Sequence, residues 1–207
     1  MPGQSINSSN KPYLRIVGGN LVQTVDKDTE GAKLREYETA DGKKGSKWEL
    51  RYMNWSGKIK SISFKDTEYG EMCNIDLGDA QLSLNTASRY FTDFASKIPN
   101  VNLEKPVILH PYDMELEGKR RSGISMQQDT DKIKSYYYDG EKNINGFPEV
   151  NEEQQKKLKK NYWKIYFAEV TAFLVEQLEK LEIPTSTEDN VKEIFDVKDE
   201  LPSDLPF

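Results

Sequence analysis

The residues of this chain with the most recognisable chemistry are cations and flat rings that recur together. Lys43, Lys44 and Lys47 crowd one turn, Arg51 and Trp55 fall on one face of an alternating run, and Lys58, Lys60 and Phe64 follow. Lys119, Arg120 and Arg121 make a second basic group, and Lys132, Lys134, Tyr136, Tyr137 and Tyr138 a third, mixed one. Cations hold phosphates, and aromatic faces stack on any base at about 1–3 kcal/mol each, so this mixture suits a single-stranded nucleic acid held without sequence choice. The competing explanation is structural. Side chains alternate along a strand, so about half of the rings belong to a core. Trp48, Leu50 and Tyr52 look like that half, whereas three consecutive tyrosines at 136–138 cannot all point inward from a strand.

Catalytic constellations are sparse. Asp113, Glu115 and Glu117 alternate and Lys119 follows. Such a carboxylate row is the kind that holds Mg²⁺ in a nuclease. It is also what a solvent-facing strand above Met114 and Leu116 looks like. His110 and Cys73 are the only residues of their types and sit in ordinary strand positions. A Cys–His nucleophile, a His-based zinc centre and an internal disulfide are therefore not expected. Neither a Gly-x-x-x-x-Gly-Lys-Ser/Thr nor a Gly-x-Ser-x-Gly segment is present. The expectation is a binding protein and not an enzyme, with no cofactor and no metal.

The elements that must position these groups are mainly β. Tyr13–Val17 and Leu21–Val25 flank Gly18-Gly19 and read as one strand kinked or bulged at the glycines. Leu34–Ala40, Lys47–Trp55, Lys58–Lys65, Glu71–Leu77 and Gln81–Asn85 alternate between turns, among them Asp41-Gly42 with its hairpin signature. Thr86–Ile98 changes to helical spacing through Tyr90, Phe91 and Phe94 and stops at Pro99, a short helix expected to plug a barrel. Val107–Glu117 returns to strand, Glu117–Gly123 reads as a basic loop, and Ile124–Gln128 with Lys132–Tyr138 as a last hairpin. Asn151–Glu182 predicts one long helix capped by Asn151. Its broad apolar face would run through Tyr162, Trp163, Tyr166, Phe167, Val170, Phe173, Leu174 and Leu181. Such a face must lie on the barrel or on another copy of the chain.

Charge is unevenly placed. The 207 residues carry a net −6, and Pro184–Phe207, with seven acids and two lysines, holds −5 of it. The nearly neutral remainder is free to carry a basic groove. The ending Asp199-Glu200-Leu-Pro-Ser-Asp204-Leu205-Pro206-Phe207 sets an apolar tip behind acids. Its Phe gains about 2–3 kcal/mol in a partner's pocket, and the acids steer it to a basic rim. It reads as a docking peptide. No apolar run reaches the ~18 residues of a membrane span. Met1-Pro-Gly-Gln lacks the pattern of a secretory signal, and the single cysteine suits a reducing cytoplasm.

Bacterial single-stranded-DNA-binding proteins close an acidic tail on Asp-Ile-Pro-Phe, and phage replication proteins of that class also end on Phe. Asp204-Leu205-Pro206-Phe207 resembles that ending at three of four positions, with Leu for Ile. The segment Trp48–Leu84 looks similar to the body of the phage members. The resemblance implies sequence-nonspecific binding of single-stranded DNA in replication, recombination or repair, in the cytoplasm of a cell or phage host. It also implies recruitment of partner enzymes through Asp199, Glu200, Asp204, Leu205, Pro206 and Phe207. The fold expected with it is an OB-like antiparallel barrel with appended helices. OB barrels place a helix after the third strand; here about five short strands precede it. The domain reading is residues 1–11 disordered, 12–150 the barrel, 151–183 the long helix and 184–207 a disordered acidic tail. An interaction scaffold without nucleic acid, and a Mg-dependent nuclease, are the alternatives.

Overall fold

In the computed structural model, residues 11–39 and 42–184 are described. The segment expected to dock a partner, Asp199 to Phe207, lies outside the described residues.

Period-two alternation dominates the first half of the chain, and it builds hairpins. β1 (Tyr13–Val17) and β2 (Asn20–Thr24) are antiparallel, with Val17 opposite Asn20 across a two-residue turn. Gly18 and Gly19 form that turn at φ 54° and 75°, the left-handed pair that twisted strands require of so short a loop. The expected single kinked strand is therefore two strands. β4 (Lys44–Tyr52) pairs with both β2 and β3 (Lys33–Glu38). β6 (Ser61–Thr67), β7 (Gly70–Asp76) and β8 (Gln81–Asn85) form a meander. β8 joins β1 in parallel, Tyr13 opposite Gln81 and Leu14 opposite Leu82. The result is one seven-stranded sheet, β3-β4-β2-β1-β8-β7-β6.

A second sheet, β11-β10-β9-β5, comprises β5 (Trp55–Gly57), β9 (Val107–Leu116), β10 (Lys119–Gln128) and β11 (Asp131–Lys132). The run expected as one strand, Lys47–Trp55, ends at Tyr52 and crosses to this sheet at Trp55. The fold is mainly β, but among the described strands neither sheet closes, so the expected antiparallel barrel is replaced by two open sheets with a parallel seam.

Ser88 Oγ accepts from Phe91 N and starts α1 (Arg89–Lys97), later than the expected 86, and a 3-10 turn at Ile98–Asn100, which holds Pro99, ends it before the expected 98. α1 does not plug a barrel. It covers the open edge of β10: Ile124 N donates to Asp93 Oδ2 at 2.8 Å, and Lys97 Nζ donates to Ile124 O at 2.6 Å. An uncovered edge is a template for unwanted pairing, and here two side chains occupy its groups.

The expected long helix breaks at Lys159 (φ 50°, ψ −121°) into α2 (Glu152–Leu158) and α3 (Lys160–Glu179). Asn151 caps α2, its side chain accepting from Gln154 N at 3.0 Å. The buried line of α3 is Tyr162, Tyr166, Val170, Leu174 and Leu178, at strict four-residue spacing. Such a row slants around a helix. It leaves Trp163 (39% exposed) and Phe167 (59%) outside, so the expected apolar face is narrower than its sequence suggests.

Both sheets, α1 and α3 share one apolar cluster, including Leu14, Ile75, Leu82, Phe91, Phe94, Leu109 and Leu174. Cys73 lies within it, and burial pushes its thiol up to about 12. Its thiolate is the reactive form, so a disulfide reagent such as DTNB should leave the native protein unlabelled and react when it unfolds. Labelling of the folded chain at the rate of a free thiol would contradict this packing. Among the described residues no helix is long and apolar enough to cross a membrane.

Candidate nucleic-acid interface

Strand register sorts the seven-stranded sheet into two faces. Leu14, Leu82, Ile75 and Ile62 stand in one row on the core face. On the opposite face Arg15 and Arg51 flank Val22, Lys33 and Thr24 flank Glu49, and Arg35 lies beside Lys47. Alternation along β1, β3 and β4 puts Tyr13 and Tyr37 on this face too.

Glu49 is fully buried at the centre of this group. Arg35 Nε donates to its two carboxylate oxygens at 2.9 and 2.8 Å. Nη2 of Arg15 and of Arg51 lie 3.8 and 3.9 Å from the same carboxylate. A charge without solvent needs such partners, because desolvation costs several kcal/mol per ion. The hydrogen bond to Glu49 in turn raises the Arg35 guanidinium above its ordinary value. Arg15 Nη2 also donates to Thr24 Oγ1 at 2.6 Å. Three guanidinium groups around one carboxylate leave a net positive centre, fixed before any ligand arrives. Beside it, Tyr37 has Arg35 Cζ at 5.2 Å and Lys47 Nζ at 5.5 Å from its ring centroid, within cation–π range. Gly45 leaves room for that ring, since a Cβ there would lie 2.6 Å from it.

The candidates named from sequence scatter over the molecule. Arg51 and Lys47 belong to the cationic face, Lys43 lies in the β3–β4 turn, and Lys44 pairs with Glu38. Trp55 does not share a face with Arg51. It sits in the other sheet opposite Leu109, donates Nε1 to Asp79 Oδ1 at 3.0 Å, and meets the Tyr52 ring edge-on at 5.1 Å. Lys58 and Lys60 are in the connection to β6, and Phe64 packs against the core, edge-on to Phe91.

Lys119, Arg120 and Arg121 are strand and not loop. They begin β10 after a two-residue turn at Glu117-Gly118 (φ 52° and 70°). This end of the β9–β10 hairpin forms an arm with Met114, Leu116, Lys119, Arg120 and Arg121 all exposed. Arg120 forks Asp113, Nε to Oδ1 at 2.8 Å and Nη2 to Oδ2 at 2.5 Å, which holds the Asp113 carboxyl below its ordinary range. Both oxygens of that carboxylate are thus engaged. Among the described residues no group of three or more His, Cys, Asp or Glu is placed to hold a metal. Gly19 joins the base of the arm to the β1–β2 turn: a Cβ there would lie 2.6 Å from Asp113 N. That turn is the end of the sheet at which Arg51 stands.

Lys132 ends β11, and Lys134 with Tyr136 to Tyr138 follows it outside any strand, so the expected second strand stops early. Tyr137 is buried against Phe147 and Phe173, while Tyr136 and Tyr138 are exposed. Tyr138 and Arg89 line a cavity of about 620 Å³ between α1, β10 and α3.

The sequence reading missed Tyr13, Arg15, Lys33, Arg35, Tyr37 and Glu49. The signal available was the alternation itself, Arg15 within Tyr-Leu-Arg-Ile-Val and Glu49 between Trp48 and Leu50. Convergence of the arginines on Glu49 needs the pairing of four strands. No protein-family model, curated protein or solved structure matches this chain.

Proposed function

We propose that this chain binds single-stranded nucleic acid, DNA by the resemblance of its ending, along the cationic face of the seven-stranded sheet. The supporting observation is the convergence of Arg15, Arg35 and Arg51 on the buried Glu49, beside Lys47 and Tyr37. Fixed guanidinium groups and an adjoining ring supply phosphate contact and stacking without reading base edges. A strand face with a neighbouring hairpin is also how oligonucleotide-binding barrels hold single strands, and the likeness proposed is of the binding face, since both sheets here are open. Bound strand is protected, and the acidic ending Asp199 to Phe207 recruits replication, recombination or repair enzymes.

Titration of labelled oligothymidine and of duplex, each at several salt concentrations, tests the reading. Binding should favour the single strand, with the logarithm of affinity falling by about 0.7 per phosphate contact for each tenfold rise in salt. Equal affinity for duplex, or none for either, would sink it. The ending separates from the groove in a second pair of measurements. Removing Asp199–Phe207 should leave single-strand affinity unchanged or raised, most at low salt where screening is weak. Phe207→Ala keeps the charge and should lose only the recruited enzymes in pull-downs. Recruitment that survives Phe207→Ala would refute the docking role of the tip.

A further inference from the structure

α3 turns a second face outward, away from its buried line. Lys164, Ala168, Thr171, Ala172, Val175 and Glu179 line an open groove of about 680 Å³, with Glu71 and Ala87 as its far wall. At the rim the exposed rings of Trp163 and Phe167 stack at 5.9 Å and 30°. The middle of this face is small, the two ends are opposite in sign, and neither Lys164 nor Glu179 has an ion-pair partner among the described residues.

We infer that this groove is the interface of a two-fold symmetric dimer, occupied by α3 of a second copy running antiparallel. The chemistry is self-complementary, as a two-fold contact demands of a single surface. An axis passing between Thr171 and Ala172 sets Ala168 opposite Val175 and Phe167 opposite Glu176. The same axis sets Lys164 opposite Glu179, twice per dimer. Small side chains at the centre allow the two helix backbones to approach closely, and each Phe167 ring settles over Ala172 and the Glu176 stem of the other copy. A parallel arrangement would instead place lysine on lysine and glutamate on glutamate. The inference stands apart from the nucleic-acid reading, because the groove lies on α3 and not on the cationic sheet face.

Analytical ultracentrifugation of the full chain without nucleic acid tests it by exchange of charge. Wild type should associate to a dimer with rising concentration. Lys164→Glu alone sets glutamate against Glu179 and should weaken the dimer about tenfold, as should Glu179→Lys alone, given the modest worth of surface pairs. An equimolar mixture of the two variants should associate like wild type, because in that heterodimer every position-164 charge again faces its opposite. Ala172→Arg should leave a monomer whose thermal midpoint matches that of wild type at concentrations too low for the dimer, since Ala172 is exposed in the single chain. A wild type that is monomeric at every concentration, single variants that associate like wild type, or a mixture no tighter than either variant alone would overturn the dimer.

Discussion

Phe91→Ala should lower unfolding free energy by about 3–5 kcal/mol, the cost of removing a fully buried ring and leaving its cavity. Phe91 has no exposed surface, meets Phe64 of β6 edge-on, and sits on α1, the helix that touches β8, β10 and α3 together. A cavity there loosens the joint between both sheets and the long helix, so collapse around it is limited. The comparison is Phe167→Ala, at a ring left 59% exposed. At concentrations too low for chain–chain contact it should cost less than about 1 kcal/mol. Urea midpoints of the two variants at constant slope decide the matter. Equal losses would mean that Phe167 is covered by this chain's own fold, and a stable Phe91→Ala would remove α1 from the centre of the core.

The triple variant Lys33→Ala, Lys47→Ala, Arg51→Ala should bind single-stranded DNA on the order of a hundredfold more weakly at moderate salt, with the salt slope reduced by about 2. These three cations share the proposed face, and removing them leaves Arg35 and Arg15 to neutralise Glu49, so the fold is kept. An equivalent change on the arm, Lys119→Ala with Arg121→Ala, distinguishes the two surfaces. If the arm variant loses as much and the triple variant loses nothing, the strand follows the β9–β10 hairpin instead. Circular dichroism of each variant guards against reading misfolding as lost contact.

Local pattern carried the strands and the periods, and long-range pairing carried the site. Alternation is a property of a few neighbouring residues, so the β2–β4 and β6–β8 regions and the helical change at Tyr90, Phe91 and Phe94 were legible. Gly18-Gly19 was misread because a bulge and a two-residue turn share the same glycines. Only the pairing of Val17 with Asn20 separates them. Trp55 was misread because its alternation with Arg51 continues through a break after Tyr52 that no proline or glycine marks. Arg120 looked free for phosphate, yet Asp113 across the hairpin claims it, through a register that depends on where the turn falls. Nothing in the alternation around Glu49 marks it as buried. Its burial arises because Arg15, Arg35 and Arg51 arrive from three strands, none of which announces the others.

The parallel seam between β1 and β8 has a consequence for the growing chain. β1 is made long before Gln81–Asn85, the segment that will pair with its Tyr13–Leu14 end. In that interval Tyr-Leu-Arg-Ile-Val is an apolar strand with unpaired backbone groups, the sort of template on which nascent chains aggregate. Arg15 interrupts the apolar letters at the middle of the strand, and a charge so placed disfavours such pairing. The same guanidinium, once β1, β2 and β4 have paired, stands over Glu49 in the finished sheet.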